Sequence, residues 1–270
     1  MKFSGTITLQ YDTPFSPFTA GEYEEGLDWL ASQGFDGAEV CISNYDGIDI
    51  YKVKEDLEKK GLGCSTISTG QARGLENISL LHEGEALKKA QERMLQHVDA
   101  AAVLGSKVTL GLLRGLGSAE NAQKEKEILA RNLDPILAYA QDKHVIIMLE
   151  AINRYETALF NSAAETVEFI GRQLGNPKYM GILWDIFHAN IEDASFDEAI
   201  DCMGNRLQHV HAADSNRMFP GYGHTNFGAI VKKLKTAGFS QYMSFECLNL
   251  PSLETVRGEA GRFIQEMRNI

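Results

Sequence analysis

Four side chains of metal-ligand type occur in succession along the second half of this sequence: Glu150 in "VIIMLEA", Asp185 in "ILWDIFH", His211 in "LQHVHAA" and Glu246 in "YMSFECL". Each lies at or near the end of an apolar, β-rich run, so each closes what reads as a buried strand. Taken singly, a carboxylate in that position is more often a helix cap or a surface ion pair. His209, on the same strand face as His211, reads as a hydrogen-bonded core imidazole. Four in succession change the reading, because four unrelated charges buried at strand ends would carry a large desolvation cost. Neighbouring strands lie about 4.8 Å apart, close enough for four such groups to converge on one ion. Three carboxylates and one imidazole make a hard, oxygen-rich set. It suits Mn²⁺, with Mg²⁺ or Co²⁺ as alternatives, better than a thiolate-type zinc site does.

Convergence requires strands whose ends lie side by side. Eight strand candidates begin near Phe3, Gly37, Gly63, Lys107, Val145, Met180, Leu207 and Tyr242, roughly 25 to 45 residues apart. Amphipathic segments such as "GEALKKAQERMLQHVDAAAVLG" and "SAAETVEFIGRQLG" lie between them, several opening on Ser or Thr and closing on Gly as capped helices do. The strands are mostly apolar, as in a parallel sheet covered by helices. Eight such units predict a single (β/α)8 barrel over residues 1–270, with chemistry on the face where the strands end. A doubly wound open sheet is the competitor, but no G-x-G-x-x-G follows the first strand.

Composition narrows the partners. The 270 residues are 44% apolar, enough for a barrel-sized core, and the formal net charge of -11 comes with no basic run, which argues against nucleic acid. Cys41, Cys64, Cys202 and Cys247 form no C-x-x-C pair and read as reduced fillers of a cytoplasmic protein. "MKFSGTITLQ" lacks the apolar centre of a signal peptide, and no apolar stretch reaches membrane-spanning length, so no membrane partner is expected.

The segments "LEAINRYE", "WDIFHAN", "HVHAADSNR", "PGYGHTNF" and "FECL", in that order, resemble the sugar isomerase and epimerase barrels of the xylose-isomerase-like superfamily. Within it, the branch of D-tagatose and D-psicose 3-epimerases is the most similar, over essentially the whole chain. The resemblance implies that Glu150, Asp185, His211 and Glu246 bind one divalent metal. It also implies that Glu156, His188 and Arg217 contact substrate oxygens around the carbonyl, and that the chain forms dimers or tetramers. Where that family usually has "LEPLNR", this sequence has "LEAINR"; Ala151 in place of proline alters loop stiffness and leaves the ligands intact.

Epimerisation beside a ketone removes a proton from carbon and returns it on the opposite face, through an enediolate whose two oxygens a cation can hold. Two carboxylates must then flank the substrate. Glu150 and Glu246, from strands five and eight, can do so across the barrel mouth, while Asp185 and His211 serve as ligands alone. His188 and Arg217 donate to oxygens that gain charge, and Glu156 fixes a terminal hydroxyl. The Gly-rich turns "STISTGQARG" and "GLLRGLGS" bring Gln71, Arg73 and Arg114 toward the same face. Their arginines suit a carboxylate, and the combination looks like the branch acting on keto-sugar acids such as 5-ketogluconate and tagaturonate. Rim salt bridges are the plainer alternative, so a free ketose and a keto-sugar acid are both expected substrates. Three competing readings are an aldose–ketose isomerase of the hydroxypyruvate isomerase type, a sugar-binding barrel without turnover, and an abasic-site endonuclease. The last needs a three-metal cluster with more histidines near strand ends than this chain supplies.

Overall fold

Each predicted strand forms, and each pairs in parallel with the next. The computed structural model describes Met1–Ile270. Its strands are β1 (Lys2–Thr8), β2 (Gly37–Cys41), β3 (Gly63–Ser68), β4 (Lys107–Leu110), β5 (Ile147–Ala151), β6 (Met180–Asp185), β7 (Leu207–Ala212) and β8 (Tyr242–Phe245). They close in sequence order, β8 pairing back onto β1, so the sheet has no free edge. Helices Tyr23–Ser32, Ile50–Lys59, Gly84–Leu104, Ala122–Asp142, Ala163–Arg172, Phe196–Met203, Phe227–Thr236 and Leu253–Arg268 surround it. Ser162, Ser195 and Ser252 cap three of them, each accepting a hydrogen bond from the backbone N–H three residues on. None of the helices is long and apolar enough to cross a membrane.

The strands alternate more cleanly than their composition suggests. Phe3, Ile7, Val40, Ile67, Val108, Ile147, Leu149, Ile182, Trp184, Val210, Met243 and Phe245 face outward and join one apolar core with the helices. The opposite parity fills the lumen with buried polar groups, among them Ser4, Thr6, Glu39, Thr66, Thr109, His209 and Ser244. That the lumen is where they point follows from a contact: Glu39 of β2 meets His209 and His211 of β7, although those strands are not neighbours. At the end where the strands begin, Lys107 Nζ reaches across to donate to Gln208 O (2.7 Å) and Gln241 Oε1 (2.8 Å) and closes the lumen. Burial pushes its ammonium down to about 8.

Two short helices, Gly70–Glu76 after β3 and Ile186–Glu192 after β6, sit at the other end. The second begins immediately after Asp185, so His188 is carried on a helical turn above the strand rather than on the strand itself.

His97, on the helix Gly84–Leu104, gives the fold a pH dependence of its own. It is fully buried, its Nδ1 accepting from the Tyr45 hydroxyl at 2.8 Å, and burial, helped by Arg93, pushes it down to about 3. As pH falls below the ordinary histidine range near 6.5, the unfolded chain binds a proton that the folded one refuses, so stability declines toward pH 3. Replacing His97→Gln keeps an acceptor for Tyr45. Urea unfolding of that variant between about pH 6 and 4 should lose up to about 1.4 kcal/mol per pH unit of slope relative to the parent. An unchanged slope would assign the proton uptake to other groups.

Candidate functional site

Asp185 ends β6 and is also the N-cap of the helix that follows. Its Oδ1 accepts from Phe187 N (2.7 Å) and His188 N (3.3 Å), which leaves Oδ2 buried with no hydrogen-bond partner. The β6–β7 register sets Asp185 directly beside His211. From His211 Nδ1 the nearest carboxylate oxygens are Glu246 Oε2 at 3.0 Å, Glu150 Oε1 at 3.6 Å and Asp185 Oδ2 at 3.7 Å. None is aligned as a hydrogen bond to that nitrogen, which is likewise buried and unpartnered. One ligand atom from each of the four residues lies within 4.8 Å of the others. Three carboxylates around one nitrogen, with two buried donor atoms left unsatisfied, fit a single divalent cation.

The electrostatics follow from crowding. Burial works against the Asp185 carboxylate, but His188, His211 and Arg217 outweigh it and bring it down to about 2. Burial raises Glu246, and the charges of Glu150 and Glu39 add to that against the opposing pull of His211. His211 is raised because Glu39 and Glu246 overcome its own desolvation. Space is as tight as charge: a Cβ at Gly111, just past β4, would stand 2.6 Å from Glu150 Oε2.

Around this cluster the mouth forms a cavity of about 290 Å³, the volume of about ten waters. Glu150, Glu246, Glu156, His188, Arg217 and Gln71 all line it. Asn153 holds His188 in place, its Nδ2 donating to His188 Nδ1 (2.7 Å) as well as to Glu156 Oε1 (3.1 Å). That bond leaves the Nε2 side of the ring as the donor. Arg217 donates to Glu156 Oε1 at 2.8 Å, and its guanidinium lies over the rings of Phe15 (4.7 Å) and Phe187 (4.8 Å). The loop that presents it is tied to Asp214, whose carboxylate accepts from the N–H groups of Ser215, Gly221 and Thr225. Arg217 itself sits at φ 63°, a left-handed conformation costly for a side chain of its size, so the loop holds it under constraint. Gln71 Nε2 donates to Tyr11 O (2.6 Å), which ties the turn after β3 to the loop after β1.

Arg114 departs from the sequence expectation. It is fully buried and absent from the cavity wall, with Nη1 donating to Gly111 O (3.1 Å) and Nη2 to Leu159 O (3.0 Å). The tight turn Leu112–Arg114 folds it beneath the rim, where its role is to brace backbone. Arg73 is also absent from the lining. Neither arginine of the two Gly-rich turns lines the cavity, and Arg217, the one arginine that does, is paired with Glu156. Conversely, Glu39, Asn153 and Asp214 position groups at the centre and were not singled out from sequence. A charge in the middle of the apolar run "GAEVC" was the signal for the first of them.

Fold and site together define a closed (β/α)8 barrel with one carboxylate–imidazole centre at the C-terminal ends of its strands. The chain belongs to the xylose isomerase-like TIM barrel family, whose sequence profile matches residues 27–267. It is 26% identical over 246 residues to the D-psicose 3-epimerase of Enterocloster bolteae, covering 86% of this chain and 79% of that one. It is 26% identical over 235 residues to the 3-dehydro-D-guloside 4-epimerase of Escherichia coli, covering 82% and 86% respectively. Among solved structures, the D-psicose 3-epimerase of Clostridium cellulolyticum H10 with D-tagatose superposes with a TM-score of 0.83 at 21% identity, covering 100% of this chain and 99% of that one.

Two substitutions check the geometry. Arg114→Ala removes two hydrogen bonds and leaves a void, so urea unfolding should report a loss of about 2–4 kcal/mol. A variant that kept full stability and lost only affinity for an anionic sugar would return Arg114 to the mouth. Gly111→Ala should fold, yet displace the Glu150 carboxylate. Calorimetric titration with Mn²⁺ should show binding weakened at least several-fold, and undiminished binding would mean that Glu150 has room to spare.

Proposed function

We propose that this protein is a divalent-metal-dependent epimerase that inverts the carbon beside the ketone of a small, uncharged keto sugar. The observation that carries the reading is the pair Glu150 and Glu246, delivered by β5 and at the end of β8 to the same cavity, both within 3.6 Å of His211 Nδ1. Relatives named for 3-epimerase and 4-epimerase activities on keto sugars support it.

Glu150, Asp185, His211 and Glu246 would hold the ion, Mn²⁺ by preference, with Mg²⁺ or Co²⁺ also suited to this donor set. When bound, that ion supplies positive charge to the ketone and the neighbouring hydroxyl, which makes the adjacent C–H acidic. The chain's own groups perform the proton transfer. One carboxylate, Glu150 or Glu246, takes the proton from carbon, and the other returns one to the opposite face; in the reverse direction the roles exchange. His188 Nε2–H and the Arg217 guanidinium donate to oxygens that gain charge. Glu156, held by Arg217 and Asn153, accepts from a hydroxyl further along the sugar.

Substrate charge follows from the rest of the cavity wall. Thr13, Ser68, Thr69, Gln71 and Thr109 line it with polar but uncharged side chains. At the cavity wall a keto-sugar acid would meet three glutamates and one arginine, Arg217, already paired with Glu156, whereas a neutral ketose or keto-glycoside finds partners for its hydroxyls.

Proton NMR in D₂O, with the Mg²⁺-loaded protein and a panel of free ketohexoses, 3-keto-glycosides and keto-sugar acids, tests the reading. Deuterium entering the carbon beside the ketone of a neutral sugar, together with the appearance of its epimer, is the expected outcome. Glu150→Gln and Glu246→Gln should each slow that exchange by about 10²–10⁴-fold. Deuterium at carbon 1 with an aldose product would make the protein an aldose–ketose isomerase. Exchange confined to keto-sugar acids would overturn the charge argument, and no exchange in any compound despite bound metal would leave a sugar-binding barrel.

A further inference from the structure

Glu39 lies in the middle of β2 and is fully buried in the lumen, one layer below the four-residue centre. Its Oε2 accepts from His209 Nε2 at 3.2 Å and from His211 Nε2 at 3.1 Å, and its Oε1 accepts from the Ser68 hydroxyl. The two imidazoles stand edge to face, 5.3 Å between centroids and 88° between planes. Three donors from two strands thus converge on one carboxylate across the barrel, far more than packing alone calls for.

We infer that Glu39 is a positioning residue: it keeps the His211 proton on Nε2, so that the Nδ1 lone pair faces Glu150, Asp185 and Glu246. The inference rests on the metal-centre reading above. A neutral imidazole carries its proton on one nitrogen, and which one is set by the partners of each. Three carboxylates in front of Nδ1 would draw the proton to that side, occupying the nitrogen that a cation needs. Glu39, placed behind the ring, competes for it and also fixes the ring's orientation. Ser68 shares the same carboxylate and lines the substrate cavity, so Glu39 links the wall that meets the sugar to the imidazole that would meet the ion. His209 supplies a further N–H that keeps Glu39 itself in place.

Metal binding to the purified protein tests this without reference to turnover. Calorimetric titration with Mn²⁺ and the absorption spectrum of the Co²⁺-loaded protein would be recorded for the parent and for Glu39→Gln, alongside melting of the metal-free proteins. The expected result is about 10–100-fold weaker Mn²⁺ binding and an altered Co²⁺ spectrum, in a variant whose metal-free melting shows that it is folded at the temperature of the titration. Equal affinity with the same spectrum would make Glu39 a packing group and overturn the inference. A parent protein that binds no divalent ion would overturn the centre itself, a different failure. Should the variant not fold, histidine ¹⁵N NMR of the metal-free parent, at a pH where the ring is neutral, decides: a proton on His211 Nε2 with Nδ1 bare supports the role, and a proton on Nδ1 overturns it.

Discussion

Like charges held close together in a buried place are the constraint on which this structure turns. Two unit charges 4 Å apart interact by about 4 kcal/mol at the effective dielectric of a protein interior near 20. Glu150, Asp185 and Glu246 bring carboxylate oxygens within 4.8 Å of one another, all grouped around His211. A flexible scaffold would let them splay. A closed sheet cannot, because each strand is hydrogen bonded on both sides and the register Asp185 to His211 to Ser244 is common to three of them. The apolar outer face of the barrel, packed against the helix ring, supplies the stability against which this repulsion is set.

The loops above the strands show the same economy of parts. Asp185 serves two masters with two oxygens, one capping the helix that carries His188 and one left facing the centre. A helix cap and a ligand are therefore not rival accounts of this residue. Asp214 organises the longer loop after β7 by collecting backbone N–H groups, and that loop in turn holds Arg217 in a left-handed conformation between two aromatic rings. The cationic side chain is thus aimed by backbone and sandwiched by apolar surface, so it can meet a ligand without first being ordered.

The barrel and its four strand-end groups were legible because they depend on local pattern: an apolar run gives a strand, and the residue that terminates it gives the charge. The unit count then supplies the closure. What escaped the sequence was everything decided by which strands face each other across the lumen. Glu39 is more than 150 residues from His211, and only closure brings them together. Asn153 lies within the motif "LEAINRYE" yet has no chemistry of its own until His188 arrives beside it. Arg114 misled for a related reason. A glycine-rich turn after a strand says that backbone bends sharply, but not whether the side chain it carries swings over the mouth or under it. Here the turn takes it under, to the carbonyls of Gly111 and Leu159.

The alternation of the strands carries one more consequence. Side chains in a strand change face at every residue, so slipping β6 by one position would turn Asp185 out of the lumen into the apolar layer between sheet and helices, and Trp184 and Ile182 inward. It would also separate Asp185 from His211. The slipped barrel would bury a bare carboxylate among hydrocarbon, which is among the costliest errors a chain can make. The residues that read as a reaction centre in the finished protein are thus also the ones that tell a correctly assembled barrel from a misaligned one. Selection for accurate assembly and selection for chemistry act here on the same side chains.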